Sequence, residues 1–331
     1  MSGRKKHIIS KARKKLARGS NDLLFNVGLA KPKLPESGQC VLIYHGIDDG
    51  EIPRVNTKFI SKSLLETQLR WLKKHTTIVP AKDLFEPTDE DKGFRIAITF
   101  DDGFANNHKY LLALVEKLEI PITIFVTTIR LKDEDFLWPD ALDLFSKNGP
   151  DKIKVEGEEY RLSKGDYQNS NGAKLKFIAI EKGYSFAKQA IQSIGFNAEK
   201  LAGYPEDLWR MLTETELREI AQSEFVTIGA HGVTHNSFIH MSNQELATEL
   251  TESRDYLQRI TNQPIDEIAY PYGHYNSNVI NLVEQAGYKY QFSVQYLNDL
   301  SDADSRICER LGINPFISWG NQVRVIGNGK Y

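Results

Sequence analysis

The chain is short of cysteine, of long apolar runs and of acidic charge near its start, and each shortage removes a class of protein. Only Cys40 and Cys308 occur in 331 residues. Two cysteines so far apart make neither a metal-binding spacing nor a disulfide framework, so both are expected as buried thiols in a reducing compartment. No apolar run approaches the ~18 residues of a membrane span, so no transmembrane helix is expected. The first 18 residues contain Arg4, Lys5, Lys6, Lys11, Arg13, Lys14, Lys15 and Arg18 and no acid. They also lack the apolar core of a secretory leader, and the expected location is cytoplasmic. The formal net charge is −2, yet setting those eight residues aside leaves 34 basic against 44 acidic residues. An acidic body opposes a polyanion, so no nucleic-acid partner is expected. A run of like charge is ordinarily a solvated tail. With Ile8, Ile9, Ala12, Leu16, Leu23, Leu24 and Phe25 beside its lysines, this one also suits a helix lying on an anionic membrane surface, at the inner face of the cell membrane.

What the chain does have is a repeating order of short apolar strand, loop and helix. Cys40 to Tyr44, Arg95 to Phe100, Ile122 to Val126, Phe225 to Ile228, Ile268 to Tyr270, Tyr290 to Val294 and Arg306 to Ile313 read as strands. Between them lie helical patterns from Ser61 to His75, near Asn107 to Leu118, from the capping boxes Thr213-Glu216 and Ser242-Glu245, and from Ser277 to Ala286. Such alternation predicts an α/β fold with parallel strands. Lys31 to Gly38, broken by Pro32 and Pro35, reads as a linker, so residues 1–38 form a tail and linker. Residues 130–212 interrupt the rhythm with a hairpin-like stretch from Lys152 to Arg161 and two helical pieces. They contain no metal or nucleophile motif and are expected as an insertion, in the position of a lid, leaving 39–129 and 213–331 as the catalytic body. Trp138, Tyr204 and Trp209 are candidates for either its core or sugar-stacking platforms.

The chemistry-bearing residues all follow strands. Ile98-Thr99-Phe100 ends in Asp101-Asp102-Gly103, and two adjacent carboxylates repel unless a cation lies between them. Phe225 to Ile228 leads to His231 and His235, whose i, i+4 spacing lets both imidazoles face one point. Two histidines and one carboxylate make a three-ligand metal site with an open position. Cys40 to Tyr44 ends in His45, and Ile268-Ala269 ends in Tyr270-Pro271-Tyr272-Gly273.

Taken together, the order Thr99-Phe100-Asp101-Asp102-Gly103, then His231-Gly232-Val233-Thr234-His235, then Tyr270-Pro271-Tyr272-Gly273 resembles the polysaccharide deacetylase (NodB-homology) family, carbohydrate esterase family four. The likeness extends over about residues 40 to 130 and 213 to 315. It implies a distorted, incomplete (β/α) barrel with the inserted segment at the catalytic face. It further implies that Asp101 is the catalytic base and that Asp102, His231 and His235 bind a divalent metal. Zinc is expected first, with cobalt, nickel and iron compatible with the same ligands. In the branch similar to poly-N-acetylglucosamine deacetylases a Tyr-His at the first strand supplies the general acid, which carries that role to His45. Pro271, Tyr272 and Gly273 would line the acetate pocket, and an N-acetylated glycan would be the substrate.

Two family features are missing. No late Leu-x-x-His occurs in Arg306 to Leu311, and Tyr270 stands where Arg usually orients the base, leaving that role unfilled unless His274 compensates. Two other functions therefore stay open: a metal-dependent hydrolase of a small non-sugar amide, and a catalytically silent glycan-binding or scaffold protein.

Overall fold

A computed structural model describes residues 18–24, 31–50, 58–86, 93–294 and 304–329. Seven of its strands matter for the site: β1 (Gly38–Tyr44), β2 (Phe94–Phe100), β3 (Ile122–Val126), β4 (Val226–Ala230), β5 (Glu267–Ala269), β6 (Tyr290–Val294) and β7 (Ile307–Gly312). All pair in parallel, in the order β1-β7-β6-β5-β4-β3-β2, and β2 returns to β1 along its whole length, from Gly38 opposite Phe94 to Tyr44 opposite Phe100. The ring thus closes with seven strands, one short of a full eightfold barrel. A further short strand, Thr77–Ile78, pairs with the first half of β2 outside the ring.

Closure follows from where the strands' side chains find cover. Period-two alternation sends Leu42, Tyr44, Ile96, Ile98, Phe100, Ile122 and Ile124 outward into one apolar cluster shared with the surrounding helices. The opposite face packs Val41, Ala97, Phe125, Ala269 and Phe292 inside the ring. Small residues there make room for large ones. A Cβ on Gly229 would meet the Phe125 ring at 2.5 Å, so this position of β4 needs glycine. The helix Lys62–His75 starts where Ser61 accepts the Leu64 N–H, and it buries Leu65, Leu69 and Leu72 at helical spacing. Both expected capping boxes form, at Thr213 with Glu216 and at Ser242 with Glu245, and the second opens a helix that runs to Thr261. The segment after the Asp pair departs from the expected plain helix. It begins as a π turn at Asn107–Leu111 and becomes α only over Leu112–Leu118.

Residues 130–212 hold their own apolar cluster. It is built from a three-stranded antiparallel sheet (Lys152–Val155, Glu158–Ser163, Asp166–Gln168) and the helices Trp138–Ser146, Leu175–Lys182 and Tyr184–Ser193. Trp138 and Trp209 are buried in it and Tyr204 packs against it, so these rings are core and not stacking platforms.

Of the apolar residues read as a membrane-facing stripe, Ile8, Ile9, Ala12, Leu16 and Phe25 lie outside the described residues, whereas Leu23 and Leu24 are exposed. Residues 18–24 are helical, and Asn21 accepts from and donates to the helix Trp319–Asn328 through Arg324 and Asn321. Among the described residues no helix is long and apolar enough to cross a membrane. Cys40 and Cys308 are free and only partly accessible, and burial pushes both thiols up to about 12.

Candidate active site

Register decides which groups meet. Because Tyr44 stands opposite Phe100, the next residues, His45 and Asp101, leave the ring side by side, and the Asp101 N–H donates to the Tyr44 carbonyl at 2.9 Å. The chain then reverses through two left-handed residues, Asp102 at φ 75° and Gly103 at φ 83°. Glycine is required at the second, where a Cβ would lie 3.2 Å from the Val126 Cα. The reversal separates the adjacent carboxylates. Asp101 meets groups inside the ring, and Asp102 meets the histidines beyond β4.

His231 continues the β4–β3 ladder by donating its N–H to the Val126 carbonyl at 3.0 Å. Its Nδ1 donates to the Ala269 carbonyl at 2.8 Å, which leaves Nε2 as the bare nitrogen, 3.6 Å from Asp102 Oδ1. Burial pushes His231 down to about 4, so the ring is neutral at physiological pH. His235 takes a left-handed backbone, φ 54°, and brings its Nε2 to 3.1 Å from the same Oδ1. One ligand atom from each of the three residues lies within 4.8 Å of the others, and all three residues are buried. Asp102 Oδ1, at their centre, has no hydrogen-bond partner among the described residues. Burial pushes the Asp102 carboxyl up, but Lys58, His235 and His45 overcome it and hold the group well below the usual carboxylate range. A buried anionic oxygen with no donor, facing two imidazole nitrogens, fits a divalent cation.

The loop carrying the two histidines is tied from behind. Glu249 Oε1 accepts the N–H of Val233 at 2.8 Å, the N–H of Thr234 at 2.7 Å and the Thr234 hydroxyl at 2.9 Å. Glu249→Ala strands all three donors and lets His235 drift. It is expected to weaken divalent-metal binding about 10-fold or more, read by competition with a chelator. Unchanged affinity would mean that the loop holds its shape without Glu249.

Asp101 is held by a residue that the sequence did not single out. Arg310, on β7 and fully buried, donates from Nη1 to Asp101 Oδ1 at 2.7 Å and from Nη2 to Oδ2 at 2.9 Å. Two further donors go to Thr99 Oγ1 at 3.1 Å and the Ser293 carbonyl at 3.2 Å, and the guanidinium lies 5.0 Å from the centre of the Phe125 ring. Burial pushes the Asp101 carboxyl up, but the Arg310 charge and hydrogen bonds, with His231 and His45, leave it below its ordinary value. The gap expected from Tyr270 is therefore filled from another strand. Tyr270 is buried in the outer cluster with its hydroxyl on Gln291, and His274 bonds Ser237 at 2.9 Å, so neither meets Asp101. One signal in the sequence could have found Arg310. It is a cation in phase with the inward-facing side of a buried strand, a position that demands a buried partner.

His45 stands at the same rim, within electrostatic reach of both aspartates, Lys58 and Arg310. Burial dominates and pushes it down to about 4. Its carbonyl is anchored by Asn107 Nδ2 at 3.1 Å. Pro271–Gly273 forms a short turn after β5, with Tyr272 in a left-handed conformation at φ 61°. The Tyr272 ring meets that of His235 edge-on, 4.7 Å between centres. Gly273 cannot carry a side chain, since a Cβ would sit 2.9 Å from the Val294 nitrogen. Asp102, His235 and Tyr272 thus place three non-glycine left-handed residues around one point, a local strain that the surrounding packing sustains. The structure also brings in Lys58, which carried no sequence signal, 2.8 Å from Asp102 Oδ2.

Residues 88–291, more than half of the chain, match the family model described as polysaccharide deacetylase. A Staphylococcus aureus poly-beta-1,6-N-acetyl-D-glucosamine N-deacetylase is 22% identical over 240 residues, which cover 71% of this chain and 61% of that protein. The chain spans about 61–62% of the length of the curated relatives it matches. Among solved structures, a Streptococcus pyogenes deacetylase in complex with acetate is similar with a TM-score of 0.55 and 17% identity, covering 89% of this chain and 99% of that one. A de-N-acetylase from Aggregatibacter actinomycetemcomitans is similar with a TM-score of 0.53 and 17% identity, covering 86% and 98%. At these identities the structural likeness is one of fold.

Proposed function

Because this chain belongs to the polysaccharide deacetylase family, we propose that it hydrolyses the N-acetyl group of an amino sugar, in a polysaccharide or a lipid-linked glycan precursor, with a divalent metal. The observation that carries the metal is the meeting of Asp102 Oδ1 with the Nε2 atoms of His231 and His235. When bound, the metal supplies a Lewis acid for the acetamide carbonyl and a place for water; zinc comes first for this donor set, and cobalt, nickel and iron also fit. Asp101, kept ionised by Arg310, takes the proton of the attacking water. His45, neutral at rest and beside Asp101, takes up that proton from Asp101 and passes it to the departing amine as the C–N bond breaks, so that the carboxylate and the neutral imidazole are both restored. Pro271, Tyr272 and Gly273 form the wall against which the acetyl group rests. The products are acetate and a free amino sugar.

The glycan-binding reading without catalysis rested on an unfilled arginine role and on the missing late histidine; Arg310 supplies a guanidinium to Asp101 and His45 stands at the same rim, which supports the enzyme. The basic residues of the tail support a place at an anionic membrane surface on the cytoplasmic side, where lipid-linked glycans are assembled. Recovery of the native protein in the periplasmic fraction would defeat that location. To separate substrates, acetate release is measured on N-acetylglucosamine oligomers and lipid-linked N-acetylated glycans beside formyl and cyclic amides. Turnover of the glycans alone is expected; turnover of the small amides alone would overturn the substrate class.

A further inference from the structure

The two oxygens of Asp102 have different neighbours. Oδ1 faces the histidine nitrogens at 3.1 and 3.6 Å, whereas Oδ2 is engaged by the Lys58 ammonium at 2.8 Å. The same ammonium lies 3.4 Å from Oδ1 of Asp140, and 5.4 Å from the centre of the Phe104 ring. Asp140 sits in the first turn of the helix Trp138–Ser146, in the inserted region, and is almost wholly buried. A fixed positive charge therefore stands on the far oxygen of a metal-ligating carboxylate, and a second carboxylate from the insertion shares it.

We propose that Lys58 and Asp140 set the site's affinity for divalent ions: the Lys58 ammonium reserves Oδ1 for the metal and opposes the incoming charge, and Asp140 draws part of that charge away. The inference rests on the metal-dependent reading above. Its physical content is the sign of two effects. At these separations, in a water-poor site, one unit of charge changes the attraction for a dication substantially. Removing the cation leaves Asp102 and Asp140 both facing the site and strengthens metal binding. Removing the Asp140 charge leaves the ammonium wholly on Asp102 and weakens it. A merely structural contact would act differently, because breaking the bridge from either end would loosen Asp102 and weaken binding in both cases. The insertion thereby takes part in the metal site through a charge, without supplying a ligand.

The test uses the full chain and titrates zinc and cobalt against a chromogenic chelator, for wild type, Lys58→Met, Lys58→Arg and Asp140→Asn, with circular dichroism as the check on folding. Lys58→Met is expected to bind zinc about tenfold or more tightly, Asp140→Asn to bind it more weakly by a similar factor, and Lys58→Arg, which keeps the charge, to stay near wild type. Cobalt absorption in Lys58→Met is expected to change as Oδ2 becomes available. Weaker binding in both Lys58→Met and Asp140→Asn, or no change in either, would overturn the proposal while leaving the metal site standing. A folded wild type that takes up neither ion would overturn the metal-dependent reading itself.

Discussion

Arg310→Leu is expected to destabilise the fold by about 3–5 kcal/mol and to lower acetate release by at least about 100-fold. Both effects come from Asp101, whose two oxygens accept from the guanidinium inside the ring. Without the cation the buried carboxylate loses its main counter-charge, and burial then outweighs the contributions of His231 and His45, pushing its pKa upward. The sign on pH follows. In the wild type the folded-state pKa is depressed, so the stability it contributes is complete above the ordinary aspartate value of about 3.9 and is lost only as pH falls through the lower folded value. In Arg310→Leu the acidic limb of the rate profile is expected to move toward neutrality, because Asp101, the proposed base, is protonated where the wild type is still ionised. Arg310→Lys keeps a charge without the two-pronged geometry and is expected to recover only part of the loss. Denaturant melts and a pH profile of acetate release read the two effects separately. An unshifted acidic limb would mean that Arg310 does not govern Asp101.

Asp101→Asn is expected to reduce turnover by about 10³–10⁴-fold while metal stoichiometry stays at the wild-type value. The amide keeps an acceptor for Arg310 but cannot take a proton, and the proposed metal contacts belong to Asp102, which turns to the histidines. The substitution also leaves the buried guanidinium without its counter-charge. Asp101→Asn combined with Arg310→Leu is therefore expected to be less destabilised than the sum of the single changes, yet no more active. Loss of bound metal in Asp101→Asn would show that the two aspartates act as one ligand pair and that the division of roles is wrong.

Legibility in the sequence followed the range of the interactions. The strands before His45, Asp101 and His231 could be read because each is a short, mostly apolar and largely buried run that ends in polar residues. The helices opened by Thr213 and Ser242 could be read because their caps lie within three residues of each other. The cluster of Asp102, His231 and His235 was legible because its residues follow strands of one parallel sheet, whose ends gather on one side. Arg310 was not, since its partner is 209 positions away and only the pairing of β1 with both β2 and β7 brings them into one layer. The substitution of Tyr270 for an expected arginine suggested an empty role for the same reason: a motif records which strand usually donates a group, whereas a closed ring lets another strand donate it. Lys58 and Asp140 left no trace, because a lysine in a polar stretch and an aspartate in a helix's first turn are ordinary until folding brings them together beside Asp102. Trp138 and Trp209 were ambiguous between binding and packing, and the separate core of the inserted region decided for packing.

The measurement that bears most directly on metal-dependent deacetylation is acetate release from N-acetylglucosamine oligomers and lipid-linked glycans, before chelation, after it, and after zinc or cobalt is returned. The site of Asp102, His231 and His235 predicts release that chelation abolishes, that either ion restores, and that His231→Ala lacks under every condition. Acetate release at full rate from chelated, metal-free protein would contradict it.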